Sequence, residues 1–203
     1  FLLIILVISA QLVSKVAYGD TTLVKFGSSW KFLDNNTTPA NWQTTAFNDA
    51  AWSSGMGEFG YGDNDERTVI NYGGNPNSKY ITTYFRKSFS IINPLDYSLI
   101  LDLIRDDAAI VYLNGNEVYR NNLPSGTINY NTLAIENVPD EASWLTTIIN
   151  PAFLISGINV IAVEIHQQSD TSSDISFNAQ LSATFPITCT TPSNFTTSLI
   201  DTT

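Results

Sequence analysis

The chain has 203 residues and a formal net charge of −10, from 9 lysines and arginines against 19 aspartates and glutamates. This acidity argues against a protein that binds the phosphate backbone of nucleic acids. Cys189 is the only cysteine, which excludes an internal disulfide. Thr, Ser, Asn, Ile and aromatic residues are abundant while Ala, Glu and Lys are sparse, which predicts strands and turns rather than amphipathic helices.

The N-terminal segment is typical of a secretion signal. Phe1 to Ala10 is almost wholly apolar, and Ala17-Tyr18-Gly19 follows at the spacing of a small-residue cleavage site. The apolar run is shorter than the ~20 residues that a membrane-spanning helix needs. We therefore predict that residues 1–19 are a signal-peptide remnant and that the protein is secreted, extracellular or at the cell surface. A short buried helix or anchor is the alternative, and no membrane span is expected after signal removal.

Short strand-like runs separated by turn-rich stretches fill residues 20–186 and predict one all-β domain, an antiparallel β-sandwich. In chain order the predicted strands are Thr22–Phe26, Tyr80–Ile91, Tyr97–Ile104, Ala109–Leu113, Asn116–Arg120, Asn159–Gln167 and Asp174–Phe185. Both faces of Asn159–Gln167 are partly apolar, so this strand is expected in the centre of a sheet. Asp140 to Leu154 is expected to form one helical turn or a packed loop.

A β-hairpin is predicted around Asn114-Gly115. A two-residue type I′ turn needs positive φ at both central residues, and Asn-Gly supplies it. The resulting register predicts three opposed pairs, which are Val111 with Val118, Tyr112 with Glu117, and Ile110 with Tyr119.

The C-terminal segment differs in composition from the predicted sandwich. Residues 187–203 are rich in Thr and Ser and stop without completing an element. This pattern predicts a linker or the start of a following module.

Three blocks, Phe47–Trp52, Asp106–Gly115 and Gly157–Val163, carry a recognisable combination of residues. Together they resemble the galactose-binding-like β-sandwich, a jelly-roll module common in secreted bacterial enzymes. The sugar-binding domain of the family 2 glycosidases has a similar pattern. The resemblance implies a jelly roll that contacts glycan or organises neighbouring domains.

A closer resemblance covers residues 27–181 and is to modules of secreted, multidomain bacterial proteins. The matching segments are Gly27–Asp34, Phe59–Asp63, Thr83–Arg86, Glu164–Ser169 and Ser172–Phe177. In those proteins the sandwich is joined to phosphoesterase, fibronectin type III or sorting domains, and the tail from Cys189 to Ile200 is similar to the opening strand of a fibronectin type III module. Ala108 stands where such modules often have glycine, which argues against a glycine-dependent bend there.

No catalytic residues are predicted, and the chain itself is not expected to be an enzyme. His166 is the only histidine, and the chain has no Gly-x-Ser-x-Gly elbow or His-Glu-x-x-His run. A glycosidase needs two carboxylates roughly 5 to 10 Å apart, a distance that a sequence does not give for Glu164 and Asp174. Asp106 and Asp107 are better explained as caps of turn amides or partners of a nearby arginine.

A metal site is predicted in the loop Gly60–Glu66. Asp63, Asp65 and Glu66 provide hard oxygen ligands, which suit a structural Ca²⁺. The spacing does not match the EF-hand pattern, and a solvated acidic loop is the alternative.

The predicted function is that of a non-catalytic accessory module that binds carbohydrate or organises an adjoining domain of the same polypeptide. Sugar rings stack on aromatic faces while polar groups take their hydroxyls. The ligand-binding candidates are Tyr61, Tyr72, Asp107, Arg120 and His166. A histidine hydrogen-bonded within the sheet is the alternative for His166. Two other functions stay open: a structural or self-associating spacer, and the N-terminal part of a hydrolase whose catalytic domain lies outside this chain.

Overall fold

The computed structural model describes residues 17–92, 94, 97–138 and 144–187. These residues form twelve β-strands and one short 3₁₀ turn, Pro151–Phe153. The strands are β1 (Ala17–Val24), β2 (Ser29–Leu33), β3 (Ser53–Met56), β4 (Phe59–Tyr61), β5 (Thr68–Val69), β6 (Thr82–Ile91), β7 (Ser98–Asp106), β8 (Ala108–Leu113), β9 (Asn116–Asn121), β10 (Leu145–Ile149), β11 (Gly157–His166) and β12 (Ile175–Ile187).

The strands form two six-stranded sheets. In sheet A the order is β10-β7-β12-β4-β5, and β1 pairs with the later part of β12. In sheet B the order is β3-β2-β6-β11-β8-β9. All strand pairs are antiparallel except β4 with β5, so the prediction of an all-β antiparallel sandwich is confirmed.

The main core lies between the inner faces of the two sheets. Leu99, Leu101 and Leu103 alternate along β7 with more exposed residues, as the period of two in a strand requires. Phe177 of sheet A stacks on Phe85 of sheet B, with ring centroids 4.1 Å apart. This pair therefore joins the two sheets at the centre of the core.

The outer face of sheet B is also covered. Residues 34–52 lay Trp42 and Trp52 over β6 and β11, and residues 122–138 lay Leu123 and Ala134 over β8. These two covering segments explain why both faces of β11 are buried. The strand pairs with β6 and β8, which confirms its predicted central place.

The hairpin turn is confirmed, but its predicted register is only partly right. Asn114 and Gly115 have φ values of 52° and 88°, as a type I′ turn requires. Tyr112 lies opposite Glu117 as predicted. A bulge at Val118 then shifts the pairing by one residue, so the predicted pairs Val111 with Val118 and Ile110 with Tyr119 are wrong. Val111 lies opposite Tyr119 and Ile110 opposite Arg120.

Several short strands were not predicted from the sequence. These are β2 to β5 and β10. The expectation of a helical turn or loop over 140–154 is wrong for Leu145–Ile149, which pairs with β7, while the 3₁₀ turn follows it.

The predicted signal-peptide remnant and C-terminal linker lie mostly outside the described residues. The last residues of the remnant, Ala17 to Gly19, begin β1 and pair with the end of β12. Within the described part of the chain, no helix has the length and apolar character needed to cross a bilayer.

Candidate functional site

Three loops meet at one end of the sandwich. The backbone N–H of Lys79 donates to the carbonyl of Asp170 (2.8 Å), and the Lys79 ammonium donates to the carbonyl of Ser172. The N–H of Gln167 donates to the carbonyl of Ile81 (2.9 Å). These bonds tie the loop before β6 to the loop between β11 and β12.

A groove of about 500 Å³ lies between these loops and the loop that contains Tyr130. We call it the rim groove, and it is lined among others by Asn36, Ser78, Tyr80, Tyr130, Asn131 and Asp170. Tyr80 and Tyr130 are half-buried, while the amide, hydroxyl and carboxylate side chains are exposed. The groove therefore combines two aromatic rings with both hydrogen-bond donors and hydrogen-bond acceptors.

Tyr61 and Tyr72 lie against Lys79, a residue that lines the rim groove. Their rings meet edge to face at 5.2 Å, and the Lys79 ammonium lies 5.1 Å and 5.6 Å from the two ring centroids. The amide of Gln167 donates to the Tyr61 hydroxyl (2.8 Å). Burial raises the pKa of Tyr61, so its phenol stays protonated at neutral pH. These tyrosines position Lys79, which lines the groove.

Asp107 is fully buried and holds two loops in place. Its carboxylate accepts the backbone N–H of Val138 (2.9 Å) and that of Gln168 (2.6 Å). This is the amide-capping role that the sequence favoured. The side chain supports the loops beside the rim groove and has no access to solvent.

His166 is also buried. Its Nδ1 lies 2.8 Å from the carbonyl oxygen of Thr132 and 3.0 Å from the Thr82 hydroxyl, and its Nε2 lies 3.4 Å from a Glu164 carboxylate oxygen. The ring thus bridges sheet B and the loop that contains Tyr130. This is the arrangement of a histidine hydrogen-bonded within the fold.

Arg120 lies in β9, and its guanidinium is engaged there. It makes a two-point ion pair with Glu117, at 2.8 Å and 2.7 Å, and donates to the carbonyls of Pro124 and Gly126. Arg120 does not line the rim groove. The structure therefore does not bring the five sequence-predicted ligand residues into one pocket.

The structure brings the three predicted metal ligands together. Ligand oxygens of Asp63, Asp65 and Glu66 all lie within 4.8 Å of one another, and a Glu66 oxygen accepts the backbone N–H of Asp63 (3.0 Å). Two oxygens that each lie about 2.3 to 2.6 Å from the same Ca²⁺ can be up to about 5 Å apart, so the observed separations allow a shared ion. The pKa of Glu58 is raised mainly by burial and also by the charges of these three carboxylates.

The fold is similar to part of several glycoside hydrolases. A β-glucuronidase from glycoside hydrolase family 2 is 15% identical with a TM-score of 0.50, over 85% of this chain and 18% of that chain. The Bacteroides uniformis β-glucuronidase is 16% identical with a TM-score of 0.51, over 82% of this chain and 18% of that chain. A family 2 member from Bacteroides cellulosilyticus is 13% identical with a TM-score of 0.50, over 81% of this chain and 20% of that chain.

These likenesses confirm the fold resemblance that the sequence motifs indicated. The chain spans about a fifth of the length of these solved structures. No protein-family model matches the chain, and no curated protein matches it either.

The residues that line the rim groove were missed as a group by sequence reasoning. Asn36, Tyr80, Tyr130 and Asp170 come from four separate segments of the chain, so no local spacing connects them. The available signal was compositional, because each segment is rich in small polar residues, Asn, Ser or Thr, around a tyrosine or an aspartate.

Proposed function

We propose that this chain is a non-catalytic carbohydrate-binding module whose glycan lies in the rim groove. The observation that carries the proposal is the groove itself, since two half-buried tyrosines and several exposed polar side chains converge in about 500 Å³. Small-molecule sites commonly have volumes of about 300 to 1,000 Å³.

The chemistry of the groove supports a sugar ligand. Tyr80 and Tyr130 offer aromatic surface on which the C–H face of a pyranose packs. Asn36, Asn131 and Asp170 offer donors and acceptors for sugar hydroxyls. Because the three loops are hydrogen-bonded to one another and to sheet B, little ordering is needed on binding.

The fold likeness supports a place for this module beside other domains. The similar solved structures are named glycoside hydrolases, and the chain spans only about a fifth of each. We propose that the module belongs to a secreted polypeptide, that adjoining domains of that polypeptide are its partners, and that any hydrolysis is carried out by a domain outside this chain.

Glycan binding is tested with immobilised polysaccharides and the 203-residue chain. We expect a subset of a neutral and uronic-acid panel to retain the wild type, and Tyr80→Ala and Asp170→Asn to lower retention about tenfold, since each removes roughly 1 to 2 kcal/mol of contact. Tyr18→Ala and Asp20→Asn are matched controls, because both residues are exposed on β1. Retention of no polymer, or equal retention by groove and control variants, would contradict the proposal.

We also propose that Asp63, Asp65 and Glu66 bind a structural Ca²⁺. A bound cation would offset the repulsion among these carboxylates and Glu58. At a Ca²⁺ concentration of ~100 Kd the stabilisation is about 2.7 kcal/mol, which corresponds to a rise in Tm of roughly 5 to 10 °C.

Scanning calorimetry with Ca²⁺ and with chelator measures this shift. Asp65→Asn is expected to abolish most of it, because Asp65 contributes one of the three carboxylates, and Asp20→Asn is the matched control. A Tm that chelator leaves unchanged would remove the metal proposal and leave the solvated acidic loop as the explanation.

A further inference from the structure

A second cavity, of about 300 Å³, lies on the outer face of sheet B. Its walls come from residues 38–43 of one covering segment and 128–130 of the other, and its floor is formed by Tyr84 of β6, Tyr112 of β8 and Glu164 of β11. We call it the sheet cavity. It shares Tyr130 with the rim groove but has a different floor.

Glu164 places a buried carboxylate at the floor of the sheet cavity. Glu164 is only 6% exposed to solvent. One carboxylate oxygen accepts the Tyr112 hydroxyl (2.6 Å), and the other lies 3.4 Å from Nε2 of His166. Burying a carboxylate is costly unless opposite charge or donors compensate it. Among the described residues, His166 is the one basic side chain in ion-pair contact with Glu164, and it is charged only when protonated.

The arginines on this face of sheet B are engaged elsewhere. Arg86 is bonded to Asp49 (2.8 Å) and to the carbonyls of Trp42 and Thr44, and Arg120 is paired with Glu117. Neither arginine lines the sheet cavity, and no lysine does so. Arg120 is close enough to interact electrostatically with Glu164, but its own ion pair is with Glu117. Within the described chain, the lining of the cavity therefore contains the carboxylate of Glu164 and no arginine or lysine.

The other groups of the sheet cavity also favour a cation that donates hydrogen bonds. Gln43 Oε1 is buried and has no hydrogen-bond partner among the described residues, so it offers a second acceptor. The ring centroid of Trp42 lies 4.7 Å from that of Tyr84 and 5.6 Å from that of Tyr112. Such a cluster of rings around a carboxylate attracts an ammonium group, because the faces of aromatic rings carry partial negative charge.

We infer that the sheet cavity binds an alkylammonium group, either a protonated primary amine or a quaternary ammonium, with Glu164 as its counter-charge. A primary ammonium has three donors and no acceptor, which matches the acceptors of Glu164 and Gln43. A quaternary ammonium relies instead on the rings and the charge. This site is separate from the glycan proposed for the rim groove, and either proposal can fail without the other.

The test is NMR titration of the 203-residue chain with methylammonium and tetramethylammonium, because ligands this small bind weakly. tert-Butanol is the neutral control of similar size to tetramethylammonium. We expect one or both cations to shift the indole signal of Trp42, and tert-butanol to bind at least tenfold more weakly. Preference for methylammonium assigns a primary amine, and preference for tetramethylammonium assigns a quaternary ammonium.

Three variants separate this site from a non-specific effect of the acidic surface. Glu164→Gln is expected to weaken cation binding at least tenfold, while Glu136→Gln, which removes an exposed charge, is expected to leave it unchanged. Gln43→Glu adds a negative charge to the wall and is expected to tighten binding severalfold, which keeps the test decisive if Glu164→Gln unfolds.

The inference is overturned if neither cation shifts Trp42, if tert-butanol binds as well as tetramethylammonium, or if folded Glu164→Gln keeps wild-type affinity. Unchanged or weaker binding by Gln43→Glu would overturn it as well. Polysaccharide retention by Glu164→Gln is expected to equal that of the wild type, so loss at the sheet cavity is distinguishable from loss at the rim groove.

Discussion

Phe177→Ala is expected to lower the free energy of unfolding by about 3 to 5 kcal/mol, the largest effect of any substitution considered for this fold. Phe177 is buried at the centre of the main core, where it stacks on Phe85 and meets the edge of Trp30 at 5.1 Å. The sandwich has no internal disulfide to compensate, because the chain has one cysteine. Its stability therefore depends on contacts between the two sheets.

Urea unfolding followed by circular dichroism measures the effect of Phe177→Ala. Ile148→Ala is the control, because Ile148 is 78% exposed on β10 and its loss is expected to change stability by less than about 0.5 kcal/mol. If Phe177→Ala cost less than about 1 kcal/mol, the stacking of Phe177 on Phe85 between the sheets would not be the centre of the core.

The second large effect is expected at Asp107. Asp107→Ala leaves the backbone N–H groups of Val138 and Gln168 without their acceptor, and each unsatisfied group costs about 1 to 3 kcal/mol. We therefore expect the free energy of unfolding to fall by roughly 2 to 5 kcal/mol. Because both N–H groups belong to loops beside the rim groove, polysaccharide retention is expected to fall together with stability. Asp107→Asn keeps the shape of the side chain and one acceptor oxygen, so the free energy of unfolding is expected to fall less than in Asp107→Ala.

Thermal unfolding and polysaccharide retention of the Asp107 variants are measured side by side. Asp170→Asn is the informative comparison, because it is exposed in the rim groove and is expected to lower retention without lowering the Tm. An Asp107→Ala protein as stable as the wild type would show that its carboxylate does not hold the two loops.

The hairpin shows which features of the fold the local sequence specifies and which it does not. Asn114-Gly115 alone specifies the turn, because positive φ at two successive positions suits few other residue pairs. The bulge at Val118 was not predictable, because no residue there demands an unusual backbone angle. The bulge places Tyr119 opposite Val111, so its position depends on packing across the sheet, which the local sequence does not predict.

The same distinction applies to strand β10. Its sequence, Leu145–Ile149, carries little alternation, and the segment becomes a strand by pairing with β7. The Thr146 hydroxyl donates to the Asp102 carboxylate (2.6 Å) across that pair. Contacts of this kind form between residues far apart in the chain, so a local pattern predicted a helical turn or a loop where the fold has an edge strand.

The candidate site was predicted in part. The acidic loop was found from the sequence because Asp63, Asp65 and Glu66 are near neighbours in the chain. The rim groove was not found, because its residues converge only when four segments of the chain come together, two of them joined by the hydrogen bond from Lys79 to Asp170. The sequence favoured amide capping for Asp107, and its capped amides lie in two of the segments beside the groove.

The most direct test of the central claim is an NMR titration of the ¹⁵N-labelled chain with oligosaccharides of a polymer that retains it. We predict that the backbone amides of residues 78–81, 130–133 and 169–170 shift together and saturably, because these segments line the rim groove. Shifts confined to another surface, or no saturable shift with any oligosaccharide, would contradict carbohydrate binding in the rim groove.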